Sequence, residues 1–211
     1  MNPRPLLLLL LLLAGAASTC RSAAPRATAP ATPSDAWLDA FARGYFPGRS
    51  GQVFLVPREG EFLVDRNPLY AFMHGSVWDY DTHIPLVLYG PPFINRIVST
   101  ERVSQQDVAP TLAALLGTAP PATSVGRPLR EALASTSARP RMITLLVLDG
   151  ARADYLDTYA AVLPTLSRLR AEGASFTRAH VTSMPTLTAV GHANLGTGAE
   201  PSTHGLAVNN L

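Results

Sequence analysis

The sequence predicts an α/β domain, and three observations lead there: strand-like and helix-like patterns alternate along the chain, one apolar run reads as a buried parallel strand, and 47% of the 211 residues are hydrophobic. Alternating strands and helices bury their apolar faces by packing as layers of helix on sheet. The hydrophobic content supports one domain with a sizeable core and lies far from the composition of disordered chains.

Taken in order, the chain opens with Arg4 as a positive start, an unbroken apolar run Leu6–Leu13 and the small residues Ala14-Gly15-Ala16, so residues 1–20 read as an export signal. The run is shorter than the roughly 20 apolar residues a membrane-spanning helix needs. The expected location is therefore the periplasm, the exterior, or a membrane surface reached through a lipid. Cys20 follows Ala17-Ser18-Thr19, a loose likeness to a bacterial lipobox that would make it a lipid anchor. The other reading is that Cys20 lies beside a cleaved signal and has no role. As the only cysteine it forms no disulfide within the chain and leaves none for a cysteine-based zinc site. Residues 21–34, mostly Ala, Pro, Thr and Ser, read as a disordered linker.

A second Ser/Thr/Ala/Pro-rich break at 134–140 divides the rest into 35–133 and 141–211. In the first part, Ala36–Ala42 predicts a short amphipathic helix, Val53–Val56 a strand, Leu86–Tyr89 a strand ended by Gly90-Pro91-Pro92, and Gln106–Leu116 a helix closed by Gly117. In the second, Met142–Leu148 is apolar except for Thr144, as in a strand buried on both faces of a parallel sheet. Leu163–Arg170 predicts a helix with Pro164 in its first turn and Gly173 beyond its end, Ser175–Arg178 a short strand, and Thr188 a helix start. The seventeen basic residues are all Arg and scattered, which argues against a nucleic-acid-binding surface.

The apolar run ends on Asp149-Gly150. Open α/β sheets place ligands at the carboxyl ends of their strands, which makes Asp149 a candidate site residue; a helix cap or turn aspartate is the equal alternative on this pattern alone. Downstream, Met184-Pro185-Thr186-Leu187-Thr188-Ala189-Val190-Gly191-His192 places hydroxyls and glycine at a helix amino terminus. There, backbone N–H groups and the helix dipole favour a bound phosphate. Thr188 by itself would read as an N-cap hydroxyl.

Asp-Gly-x-Arg-x-Asp-Tyr-Leu, Pro-x-x-Thr-x-x-x-His and Thr-Gly-x-x-Pro-x-x-His-Gly follow one another between Asp149 and Gly205. Together they resemble the amino-terminal part of nucleotide pyrophosphatase/phosphodiesterase-type enzymes and their phosphatase relatives, in the alkaline phosphatase superfamily. The resemblance implies Thr188 as nucleophile and metal ligand, Asp149 as a ligand of the same metal, and Asn209 as the side chain on a phosphoryl oxygen. A threonine hydroxyl is a weak nucleophile that a divalent cation activates, so the residue types agree with that chemistry. The earlier part, with Gly48-Arg49-Ser50-Gly51, His74-Gly75-Ser76-x-x-Asp79-Tyr80-Asp81-Thr82-His83 and Asp107-Val108-Ala109-Pro110-Thr111-Leu112, resembles the carboxyl-terminal part of the same domain in its phosphate-monoester branch. That implies His74 as a ligand of a second metal. His83 reads as hydrogen-bonded structure ahead of the alternative of a metal ligand, Asp79 and Asp81 as turn formers or supporting partners, and His192 and His204 as structural; His180 has no assigned role.

The resemblance thus implies an alkaline-phosphatase-like, mostly parallel sheet flanked by helices, two divalent ions, zinc by donor type, and a small-molecule phosphate ester as substrate. Its two parts stand in reversed order, and the family's middle region, with an Asp near a His and then an adjacent Asp-His pair, has no counterpart. The expectation is an incomplete site and an incomplete sheet, as in a piece of a longer enzyme. The competing expectation is an inactive exported domain that binds phosphate compounds, or a truncated remnant.

Overall fold

The computed structural model describes residues 34–62 and 73–209, so the expected export signal, Cys20 and nearly all of the expected first linker lie outside the described residues. Among the described residues no helix is long and apolar enough to cross a membrane.

The elements are helices and strands in alternation around a small mixed sheet. α1 spans Asp35–Gly44, capped by the Ser34 side chain on the Trp37 N–H. α2 (Asp79–Thr82) is one turn that runs directly into β1 (His83–Leu88), and β2 covers Ile97–Ser104. A 3-10 turn, Gln105–Asp107, leads into α3 (Val108–Leu116), which Gly117 closes in the left-handed conformation at φ 67°. Glycine adopts that geometry without the steric cost other residues meet. Further on come α4 (Tyr155–Thr158), α5 (Pro164–Glu172), β3 (Ala174–His180), α6 (Thr188–Thr197) and α7 (Pro201–His204).

The sheet has three strands in the order β1-β3-β2. β3 is antiparallel to β1, with His83 opposite His180, and parallel to β2, with Ile97 opposite Ala174. The sheet is therefore mixed, where a mostly parallel one was expected. Ala174, Phe176 and Ala179 of β3 pack with Val103, Leu129 and Ala132 as the core, and Ile84, Leu86 and Leu88 of β1 press against it. Small residues on the central strand let Leu129, fully buried, sit against the sheet.

A polar cluster fixes the entry to α3. The buried Asp107 carboxylate accepts from Ser104 N at 2.8 Å and from Arg127 N at 2.7 Å, which ties the helix start to the 124–129 loop. Thr111, inside the same helix, donates to Asp107 O and accepts from Leu129 N. These bonds satisfy buried polar groups that would otherwise cost about 1–3 kcal/mol each.

Several expectations need correction. Met142–Leu148 is not a strand: it is an irregular extended segment with Met142 79% and Leu146 65% exposed. A strand buried on both faces requires neighbours on both edges and cover on both faces, and the described elements supply neither at this place. Val53–Val56 is likewise irregular and largely exposed. In contrast, β2 was not foreseen. Its alternation of Ile97, Ser99, Glu101 and Val103 is broken by a register shift between Ser99 and Arg102, which weakens the period-two signal.

Candidate active site

The loop before α6 is held from both sides. Met184 N donates to Ala40 O at 3.0 Å, and a Cβ on Gly44 would lie 1.6 Å from Met184 O, so α1 approaches this loop as closely as a glycine permits. Thr186 Oγ1 donates to Ser76 O at 3.2 Å, joining the loop to the His74-Gly75-Ser76 turn. That turn is organised by Asp81 of α2, whose Oδ2 accepts from Gly75 N at 3.2 Å, Ser76 N at 2.8 Å and Ser76 Oγ at 2.6 Å.

Behind the loop, Asn194 of α6 is fully buried, and its side-chain oxygen accepts from Ser183 Oγ at 3.1 Å. The Asn194 side-chain amide lies 2.8 Å from His204 Nε2, and Leu206 N donates to His204 Nδ1. Burial holds the His204 imidazole below its usual pKa.

Thr188 is the first residue of α6, with Leu187 as a cap that supplies no side-chain bond. Its hydroxyl lies 3.1 Å from Asp149 Oδ2, to which it donates, and 3.3 Å from His74 Nε2. His74 Nε2 is also 3.3 Å from Asp149 Oδ1. The other ring nitrogen, Nδ1, donates to Thr186 O, a 2.6 Å contact that fixes the tautomer. His74 Nε2 therefore turns a lone pair toward a carboxylate and a hydroxyl oxygen. Asn209 stands beside them, its Oδ1 accepting from Ala189 N in the first turn of α6 at 3.0 Å.

The structure thus brings together all four residues singled out from sequence: Thr188, Asp149, His74 and Asn209. Asp149 arrives differently from expectation, in a turn after an unpaired segment rather than at the end of a sheet strand. A cavity of about 760 Å³ opens beside the cluster, with His74, Asp149 and Thr188 at one part of its wall and Leu86, Leu88 and Leu146 at another. His192 sits on α6 with Nδ1 donating to Thr188 O, a bond within the helix. The part played by Thr186, which orients His74 through its carbonyl, escaped sequence reading because a backbone acceptor leaves no side-chain signature.

Three donors of different kinds converge on one point: an imidazole lone pair, a carboxylate and a hydroxyl. Such a set suits a divalent ion of the zinc class. Comparison with known proteins agrees on the region that carries two of these donors. Residues 143–211 match the family model "Type I phosphodiesterase / nucleotide pyrophosphatase".

Residues 143–211 belong to the alkaline phosphatase superfamily.

The relatives include alkaline phosphatase PafA of Elizabethkingia meningoseptica, 38% identical over 73 residues, which are 34% of this chain and 13% of that protein. Alkaline phosphatase PhoV of Synechococcus elongatus is 38% identical over 77 residues, 36% of this chain and 14% of its own length. A venom phosphodiesterase of Macrovipera lebetinus is 37% identical over 71 residues, 33% of this chain and 8% of its own length. The matches thus span only 8–14% of the length of these relatives. No solved structure matches the chain. Thr188, Asp149 and Asn209 all fall inside the superfamily segment, whereas His74 reaches the site from outside it.

Proposed function

We propose that the chain carries the nucleophile-bearing site of a metal-dependent phosphoric ester hydrolase, acting on small phosphate monoesters or diesters outside the cytoplasm. The observation that carries this reading is the convergence of Thr188 Oγ1, Asp149 and His74 within 3.3 Å of one another at the start of α6. Under the same reading, 35–133 and 141–211 are the closing and opening parts of one alkaline-phosphatase-like domain, joined at 134–140.

Thr188, Asp149 and His74 would hold one divalent ion, zinc by donor type, which supplies a Lewis acid able to favour the threonine alkoxide at neutral pH. The resemblance gave His74 to a second ion, but its Nε2 lies 3.3 Å from both Thr188 Oγ1 and Asp149 Oδ1, so the three side chains are read here as serving one ion, and a second requires donors outside this set. Thr186 O holds His74 with Nε2 facing inward. Asn209, anchored by Ala189 N–H through Oδ1, keeps its Nδ2 protons for a phosphoryl oxygen, and the α6 dipole favours the negative charge.

In the reaction, Thr188 Oγ attacks phosphorus as the ester oxygen departs with its electron pair and takes up a proton. The products of this step are phosphothreonine and an alcohol. Water then attacks the same phosphorus, the P–Oγ bond breaks, and the Thr188 hydroxyl is restored with release of phosphate or a monoester. The contact between Thr188 Oγ1 and His74 Nε2 also resembles a general-base pair. Asp149, however, faces the same nitrogen as the hydroxyl, not the far nitrogen as in a hydrolase triad.

The test is zinc content together with hydrolysis of p-nitrophenyl phosphate and bis-p-nitrophenyl phosphate by the purified chain. Thr188→Ala is expected to lower metal-dependent turnover by on the order of a thousandfold, as removal of a nucleophile does. Turnover unchanged in Thr188→Ala would overturn the role of that residue. Phosphate binding with no turnover would favour an inactive phosphate-binding domain.

A further inference from the structure

A second group of ligating side chains lies on the sheet, among residues not used by the proposed reaction. Asp79, His83 and His180 each offer one ligand atom, and these atoms lie within 4.8 Å of one another. The fold creates the group in two ways. α2 passes straight into β1, so Asp79 and His83 stand four residues apart with Oδ2 3.8 Å from Nδ1. The β1–β3 ladder then sets His83 directly opposite His180, with the two rings stacked at 4.8 Å between centroids and 7° between planes.

Both imidazoles are held in one tautomer by backbone carbonyls. His83 Nε2 faces Thr177 O at 2.9 Å, and His180 Nδ1 faces Arg178 O at 3.0 Å. A carbonyl only accepts, so each of these nitrogens carries the proton. What remains is the Nδ1 lone pair on His83 and the Nε2 lone pair on His180. Ligating histidines are commonly oriented this way, the outer N–H bonded to a carbonyl and the inner nitrogen left bare.

We propose that Asp79, His83 and His180 form a binding site for a divalent transition ion of the zinc class, separate from the Thr188 cluster. Two imidazoles and a carboxylate make a three-ligand set that leaves one position for water. Ligand atoms around tetrahedral zinc lie roughly 3.4 Å apart, as Zn–N distances of about 2.0–2.1 Å require. Closure from the present spacing therefore takes a shift of about an ångström and a tilt of the rings out of their stack. Asp79, with its side chain 82% exposed, is free to follow. The ion would tie α2 to both strands. Since α2 also carries Asp81, which holds the His74 turn, occupancy should stiffen the support of the candidate active site as well.

The experiment uses the full chain carrying His74→Gln and Asp149→Asn, which removes two donors of the other cluster. Zn²⁺ is titrated calorimetrically, and Co²⁺ is added in parallel to read tetrahedral d–d absorption. One equivalent should bind, with thermal stabilisation. Adding Asp79→Asn should weaken binding at least about tenfold, and His180→Gln should abolish the Co²⁺ spectrum, while circular dichroism confirms the fold. Absence of binding in the starting variant, or affinity unchanged by Asp79→Asn and His180→Gln, would overturn the site. Neither result depends on phosphoester turnover, so failure here is separable from failure of the Thr188 reading.

Discussion

Two seven-residue segments meet opposite fates. Met142–Leu148 is almost wholly apolar and stays unpaired and exposed, whereas Ala174–His180, with serine, threonine, arginine and histidine among its seven residues, is the central strand. The difference is partnership. β3 has a ladder on each edge, and Leu129 and Ala132 cover its buried side, while Met142–Leu148 lines a cavity that Leu86 and Leu88 also line. A hydrophobic run makes a strand only where neighbours accept its hydrogen bonds. The consequence reaches the candidate site, because Thr188 and His74 are set by the packed side of the molecule and Asp149 by the unpaired segment.

The largest effect that sharpens this contrast is expected at Phe176, only 3% exposed in the core. Phe176→Ala should cost about 3–5 kcal/mol of unfolding free energy in urea, the range for deleting a buried aromatic ring. Less than about 1 kcal/mol would show that β3 is not the core strand.

A smaller effect should appear as pH dependence on the packed side. Burial depresses the His204 pKa in the folded protein relative to the usual 6.5, so the folded state prefers the neutral ring. The contribution is fully present above the unfolded value. It is lost as pH falls from about 6.5 toward the depressed folded value, where the unfolded chain takes up the proton first. His204→Gln should flatten this slope in urea midpoints measured across that window. An unchanged slope would place the acid sensitivity elsewhere.

The smallest effect is expected at Leu146, 65% exposed on the unpaired segment. Leu146→Ala should change stability by no more than about 0.5 kcal/mol, as exposed substitutions do. Amide exchange should give the same ranking, with Ala174–Ala179 protected and Thr144–Leu148 exchanging fast. Protection across Thr144–Leu148 would break the comparison, since it would mean the segment has a strand partner after all.

Local signals served well where the chain carries its own punctuation. Pro164 and Gly173 around α5 and Gly117 after α3 mark real helix ends. β2 stayed hidden because its bulge breaks the alternation, and Met142–Leu148 misled because hydrophobicity reports burial potential and not partners. At the candidate site, the family resemblance singled out Thr188, Asp149, Asn209 and His74, residues as much as 135 positions apart that the fold sets side by side. Their orientation came from contacts with no sequence pattern: Thr186 O on His74, Asp81 on the Ser76 turn, and Ala189 N on Asn209.

By itself, then, the sequence determined the α/β class, the helix boundaries that glycines and prolines mark, and the residues that a family resemblance points to as a site. Only the tertiary structure decided the mixed order of the sheet, the exposure of Met142–Leu148 and the pairing of His83 with His180. The physical reason is range. Caps and turn residues act over a few positions of the backbone, whereas ladders and converging ligands depend on which distant segments the core brings into contact.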